Sequence, residues 1–324
     1  MNLGILLWNT CNAACSHCAV NSGPSEKSVM TDDQIFELID GAFYDCSRPK
    51  IGLSGGEAFA FFDRLCKICR YAINKGAIVS VNTNGFWGTS AEEAKKKVQI
   101  IKSIGVSRLV VSIDEFHQEY IDVARPLNVI RACRSEHLEV EVQFVATKAT
   151  SRLADFLAKH GDDLLNIRCR EIPCHPVGRA AEKIDAGHLF TSNEIPTGKC
   201  PSLILSASAE GNIIPCCNAA GHLPSLQLGT VADDISDIHR KFVESPLSYV
   251  MVTQGPQAFI PAAEKAGFKH RDGGYIDQCH LCYEIFKNPI YALKSKKMAR
   301  EIYEKEFSEK LLSEFNEAME SVNG

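Results

Sequence analysis

Cys11, Cys15 and Cys18 are spaced C-x3-C-x2-C directly after a short apolar run near the start of the chain. Thiolates are soft ligands, so three of them in one loop converge on a metal. With a fourth ligand such as His17 or His117 the trio suits a tetrahedral zinc ion. Without a fourth it suits an iron–sulfur cluster in which one iron stays open to a substrate or cofactor.

The chain has 14 cysteines in 324 residues, a usage that means either an oxidised secreted framework or an intracellular metal protein. The opening residues lack a basic segment followed by an apolar run and a small-residue cleavage site. No apolar stretch reaches transmembrane length, so no membrane association is expected. The thiols are therefore expected in a reducing cytoplasm, where clustered cysteines bind metal. A net charge of −5 with no basic stripe argues against a nucleic-acid partner. Hydrophobic residues at 45% and charged ones at 23% exclude a disordered or collagenous chain.

Such a loop needs a rigid frame. Apolar or β-branched runs lie at 3–8, 51–54, 77–82, 108–113, 140–147 and 166–172. Between them, helical spacing covers 31–45, 62–75, 91–104, 120–135 and 151–159, with Thr31 and Ser90 as N-caps ahead of acidic first turns. Alternating strands and helices predict an α/β fold with a parallel sheet and right-handed crossovers. Six units are too few for a closed eight-stranded barrel, so a partial (β/α)6 TIM-like barrel is expected, with its chemistry at the carboxyl ends of the strands. After about residue 180 the chain turns to short strands, repeated prolines and tight turns. The reading divides it into a barrel at 1–185, a smaller region at 186–288 and a helical tail at 289–324. Cys66 and Cys69 sit at helical spacing with Leu65 and Ile73 and read as core-facing thiols.

The trio after the first strand, with Ser54-Gly55-Gly56-Glu57 ending the second, resembles the radical S-adenosylmethionine (SAM) superfamily. The resemblance covers roughly residues 1–180. It implies that Cys11, Cys15 and Cys18 hold a [4Fe-4S] cluster whose open iron is chelated by SAM. It also implies that Ser54, Gly55, Gly56 and Glu57 contact the SAM amino group. Asn84, Ser112 and Asp114, at the ends of the third and fourth strands, would hold the ribose and methionine portions. Pro176-Val177-Gly178-Arg179-Ala180 is similar to a segment of peptide-modifying members; Arg179 is read there either as a carboxylate contact or as a solvated side chain. Cys174 and His175 are expected on the active-site side.

Cys200, Cys216, Cys279 and Cys282 look like the thiolates of an auxiliary-cluster extension of the twitch or SPASM kind. The resemblance implies a second [4Fe-4S] cluster in a small C-terminal domain, although zinc fits the same four residues. Cys217 is left over. The 84–88 and 114–117 segments, together with Pro215-Cys216-Cys217, are similar to radical SAM peptide epimerases of the epipeptide type. That likeness implies Cα hydrogen abstraction from an L-residue and return of hydrogen from Cys217, with Asp114 and Glu115 as polar substrate contacts. The epimerase aspartate that follows the first auxiliary cysteine is absent here, where the chain reads Pro201-Ser202-Leu203-Ile204. The partners implied are a ribosomally synthesised precursor peptide and a cellular electron donor such as flavodoxin or ferredoxin. Two other readings stand beside this one. The first is a radical SAM maturase forming thioether or carbon–carbon cross-links; the second is a non-enzymatic zinc-binding interaction protein.

Overall fold

Strands and helices alternate in the order that the hydrophobic spacing predicts. The computed structural model describes residues 1–44, 46–218 and 220–323, with side chains through residue 310. Asp45, which closes the expected 31–45 helix, and Gly324, at the end of the expected tail, lie outside the described residues. Strands β1 (Leu3–Leu6), β2 (Lys50–Ser54), β3 (Ile78–Thr83), β4 (Arg108–Ser112), β5 (Glu139–Ala146) and β6 (Arg168–Pro173) pair in sequence, each parallel to the next. Every crossover carries a helix; β2 and β3 alternate buried and half-buried residues, while β4 and β5 contain continuous buried runs.

The helices begin where their caps dictate. The Thr31 side chain accepts from the Gln34 backbone N–H, and the Gln34 side chain answers to the Thr31 N–H, opening helix Asp32–Gly41. The Ser90 side chain accepts from the Glu93 N–H and opens Ala91–Ile104. The expected 120–135 helix is instead two, Glu115–Gln118 and Ala124–Ser135. Asp114 starts a turn of its own at the end of β4, and Pro126 confines the longer helix to a start just before it.

The sheet does not stop at β1. Strand β7 (Ser206–Ala207) runs parallel to β1, and β8 (Asn212–Ile214) and β9 (Gly229–Thr230) follow antiparallel, giving the order β6-β5-β4-β3-β2-β1-β7-β8-β9. Leu205, Ala207 and Ile213 thereby join the core of Ile5, Leu53 and Val81. Cys66 and Cys69 also point into this core. A second core, around Phe259, Tyr275, Leu281, Ile285 and Phe286, underlies the C-terminal region. The tail is one helix, Pro289–Asn323. Among the described residues no helix is long and apolar enough to cross a membrane.

Candidate active site

The loop after β1 is tied down by two isolated bridges, Trp8 with Val29 (antiparallel) and Thr10 with Gly23 (parallel). Cys11 and Cys15 are buried and Cys18 half-buried. Burial pushes the Cys11 thiol up to about 11, with Glu57 and Cys18 adding to it and the Ala13 N–H opposing. Cys15 is raised further, by burial first and then by the charge of Asp114. Left alone, Cys11 and Cys15 stay protonated; a cationic metal replaces those protons and removes the penalty.

Glycine brings β2 against this loop. A side chain at Gly55, whose φ is +144°, would place Cβ 2.5 Å from the Trp8 carbonyl, and one at Gly56 would place it 2.2 Å from that of Thr10. The two N–H groups that follow use the closeness: Gly56 donates to Trp8 and Glu57 to Thr10, at 2.6 and 3.0 Å. The Gly-Gly turn thus serves first to seat the cysteine loop. Glu57 is buried and spans the ends of β2 and β3. Its carboxylate accepts from the Phe59 N–H (3.0 Å), the Thr83 hydroxyl (2.6 Å) and the Asn84 N–H (2.7 Å). Burial raises its pKa while these donors pull it down. The Asn84 amide donates to Asn12 Oδ1 at 2.9 Å and lies 3.8 Å from Cys11 Sγ. Ser54 and Ser112 end β2 and β4, half-buried.

Asp114 is fully buried. It accepts from His117 Nδ1 at 2.8 Å and from the His117 and Val145 backbone N–H groups, both at 3.2 Å. Burial alone would raise its pKa; the His117 charge and hydrogen bond outweigh that and bring it to about 2. The same pairing raises His117 against the pull of burial. His17 stacks on Phe116 and meets His117 edge-on, at 4.7 and 4.9 Å between ring centroids. Burial lowers His17 to about 4, and its Nδ1 is buried with no hydrogen-bond partner. Glu115 has a structural partner, its carboxylate accepting from the Ser151 N–H at 2.8 Å. That contact ties the end of β4 to the turn before helix Leu153–His160.

The second cysteine set surrounds a cavity of about 300 Å³ lined by Cys200, Cys216, Cys279, Cys282, Pro201 and Phe286, among others. Cys279 and Cys282 share one face of helix Gln278–Phe286, N-capped by Asp277. Burial, then the neighbouring thiols, push Cys216 up to about 12, and Cys282 well above the ordinary range. For Cys279, also pushed up to about 12, the Asp277 charge follows burial. Asn218, which nothing in the sequence singles out, donates to Ser202 Oγ at 2.8 Å and lies 3.6 Å from Cys279 Sγ. Cys217 is exposed and lies outside the cavity lining.

The spacing of the sulfurs bears on which metal they suit. Thiolates on one tetrahedral ion, at about 2.3 Å each, stand about 3.8 Å apart. Among the described residues, the His, Cys, Asp and Glu groups whose ligand atoms all lie within 4.8 Å of one another are His17, Asp114 and His117. His117 Nδ1 is committed there to the Asp114 carboxylate. Neither cysteine set, among the described residues, brings three sulfurs all within 4.8 Å of one another.

Residues 5–146 match the Radical SAM superfamily. The chain is 26% identical over 223 residues to YydG of Bacillus subtilis (strain 168), a protein whose name assigns it to peptide biosynthesis; the match covers 67% of this chain and 69% of that one. It is 25% identical over 194 residues to a GTP 3′,8-cyclase of Limosilactobacillus fermentum, 55% of each. Among solved structures it is similar to anSMEcpe with bound AdoMet and the Cp18Cys peptide. The identity is 15% and the TM-score 0.55, over 93% of this chain and 100% of that one. It is also similar to SuiB of Streptococcus suis bound to precursor peptide SuiA, at 14% identity and TM-score 0.50, over 88% and 70%. At those identities the structural likeness is one of fold.

Proposed function

The chain carries a radical SAM domain over residues 5–146, and from that premise we propose that it inverts L-residues in a ribosomally synthesised peptide. A [4Fe-4S] cluster and SAM bound here would supply the one-electron chemistry that removes a hydrogen atom from the substrate. Cys11, Cys15 and Cys18 hold that cluster. Gly55, Gly56, Glu57 and Asn84, already laced to the cysteine loop, hold SAM with Ser54, Ser112 and Asp114. Cys200, Cys216, Cys279 and Cys282 hold a second [4Fe-4S] cluster, a role supported by their shared cavity. An electron donor such as flavodoxin or ferredoxin completes the system.

Loss of a hydrogen atom from a peptide Cα leaves a planar centre without handedness, and 5′-deoxyadenosine carries the hydrogen away. Cys217 gives its S–H hydrogen to the opposite face. The peptide ends unchanged in composition and oxidation state, and Cys217, left as a thiyl, needs one electron and one proton to return. Desolvation raises the Cys217 thiol above its ordinary value, which keeps it as S–H at neutral pH. One observation carries this reading: Cys217 adjoins Cys216 in the chain yet stands exposed, outside the four-thiol cavity. A hydrogen donor needs such a free thiol on a rigid mount. The match to YydG and the fold shared with peptide-bound SuiB support a peptide as the substrate.

The test is turnover in deuterated water with the precursor peptide from a neighbouring small reading frame. Inversion adds one deuterium per residue changed. Cys217→Ala is expected to keep forming 5′-deoxyadenosine while the D-product falls by about 100-fold or more. A product short of two hydrogens would mean cross-linking instead. A colourless, zinc-only protein would end the radical reading altogether.

A further inference from the structure

The segment that follows β6 touches both cysteine sets. At one end, the Arg179 backbone N–H donates to the Cys18 carbonyl at 2.9 Å. Its guanidinium donates to the carbonyls of Cys15 (2.8 Å), Asn21 (3.0 Å) and Ser22 (2.7 Å). Four carbonyls of the first cysteine loop therefore converge on one residue. The contact is close enough to require glycine beside it: a Cβ at Gly178, where φ is +54°, would lie 2.3 Å from the Ala19 carbonyl. At the other end, His175 Nε2 lies 2.8 Å from Asp277 Oδ1. That same oxygen accepts the His280 N–H at 3.0 Å and so caps the helix bearing Cys279 and Cys282.

We propose that His175 and Arg179 are positioning residues at the two ends of one strap, which holds the two metal-binding cysteine sets in register. Four residues of chain span at most about 14 Å when extended. This strap has no such slack, because Val177 N–H returns to the His175 carbonyl and Ala180 N–H to that of Val177. The planar guanidinium fork is what the geometry uses. Three carbonyls at fixed angles suit arginine, and a lysine ammonium would supply charge without the fork. Arg179 is thus neither a carboxylate contact nor a solvated side chain. Displacement of either anchor is transmitted to the other, so loading of one site steadies the other.

The proposal rests on the reading that both cysteine sets bind metal, but its primary test does not need metal. Amide hydrogen exchange on the full metal-free chain reports each end separately. Arg179→Gln is expected to speed exchange of amides in 11–23 about tenfold or more, and also those of 277–282. His175→Ala is expected to do the same in both segments, and Arg179→Lys to resemble Arg179→Gln. Unchanged protection in β2 to β4 certifies that each variant is folded, and His175→Gln stands in if His175→Ala is not. Acceleration that stays at the mutated end, or full protection restored by Arg179→Lys, overturns the strap. After reconstitution with ferrous iron and sulfide, Arg179→Gln is expected to lose iron at both sites; loss confined to the first site overturns the coupling. An iron-free wild type with strapped exchange would instead refute the metal reading while leaving the strap intact.

Discussion

Replacing Asp114 by asparagine tests whether a buried ion pair braces the end of β4. Asp114 is fully buried and accepts from His117 Nδ1, His117 N–H and Val145 N–H. Its carboxyl falls from 3.8 to about 2 in the folded chain. At about 1.4 kcal/mol per tenfold in proton affinity, that is on the order of 2–3 kcal/mol of stability while His117 is protonated. The rise at His117 is the other half of the same interaction and is not added to it. For a chain of this size the loss amounts to roughly 3–5 °C in Tm. A group depressed on folding stabilises above its unfolded pKa and loses that contribution as pH falls, here from 3.8 towards about 2. A raised histidine stabilises below 6.5 and loses its contribution as pH rises through its folded value. The gap in Tm between wild type and Asp114→Asn is therefore expected to be widest between about pH 4.5 and 6.5 and to narrow above that. Calorimetry of the metal-free chain at several pH values measures it. A gap that is flat to pH 9, or that grows with pH, would show that backbone donors rather than His117 stabilise the carboxylate.

Gly55→Ala is expected to cost about 2–4 kcal/mol and to loosen the cysteine loop, since its Cβ meets the Trp8 carbonyl at 2.5 Å in a left-handed backbone; iron content after reconstitution and Tm report it together. Cys66→Ala and Cys69→Ala are expected to leave iron content unchanged while lowering stability by roughly 1–2 kcal/mol, because both thiols fill the barrel core; iron loss in either would place them among the ligands. In the metal-free chain, iodoacetamide at neutral pH is expected to modify exposed Cys217 well before buried Cys282, whose thiol is held far above its ordinary pKa. Mass spectrometry of the digested protein gives the order, and equal rates would contradict the burial assigned to Cys282. Removal of metal with a chelator is expected to lower the Tm of the reconstituted protein, since ligand binding to the folded state alone is stabilising; an unchanged Tm would mean that the sites bind no metal.

The barrel was legible because its signals are local. Alternation within 78–83, helical spacing within 91–104 and the caps at Thr31 and Ser90 each depend on residues within a few positions of one another. The C-x3-C-x2-C loop is legible for the same reason. Strands β7 to β9, of two or three residues, are too short to carry any periodicity; they are strands because the edge of β1 offers them hydrogen bonds. The likeness that pointed to Gly55 and Gly56 did not reveal their work, since the carbonyls they must clear belong to residues 8 and 10. Glu115 illustrates the converse: an acidic residue beside Asp114 in the chain, but bonded to Ser151, 36 positions away.

Residue types and short spacings thus determined which atoms could bind metal and where along the strands they would sit. Only the tertiary structure decided which distant groups serve them: Arg179 on the carbonyls around Cys15, His175 on Asp277, and Cys217 outside the cavity that Cys216 enters. Those contacts join residues that chain sequence leaves a hundred or more positions apart, or divide neighbours by the direction of one side chain. Hydrogen bonds are directional and close over a few ångströms, so their partners exist only once the sheet has set where each strand ends.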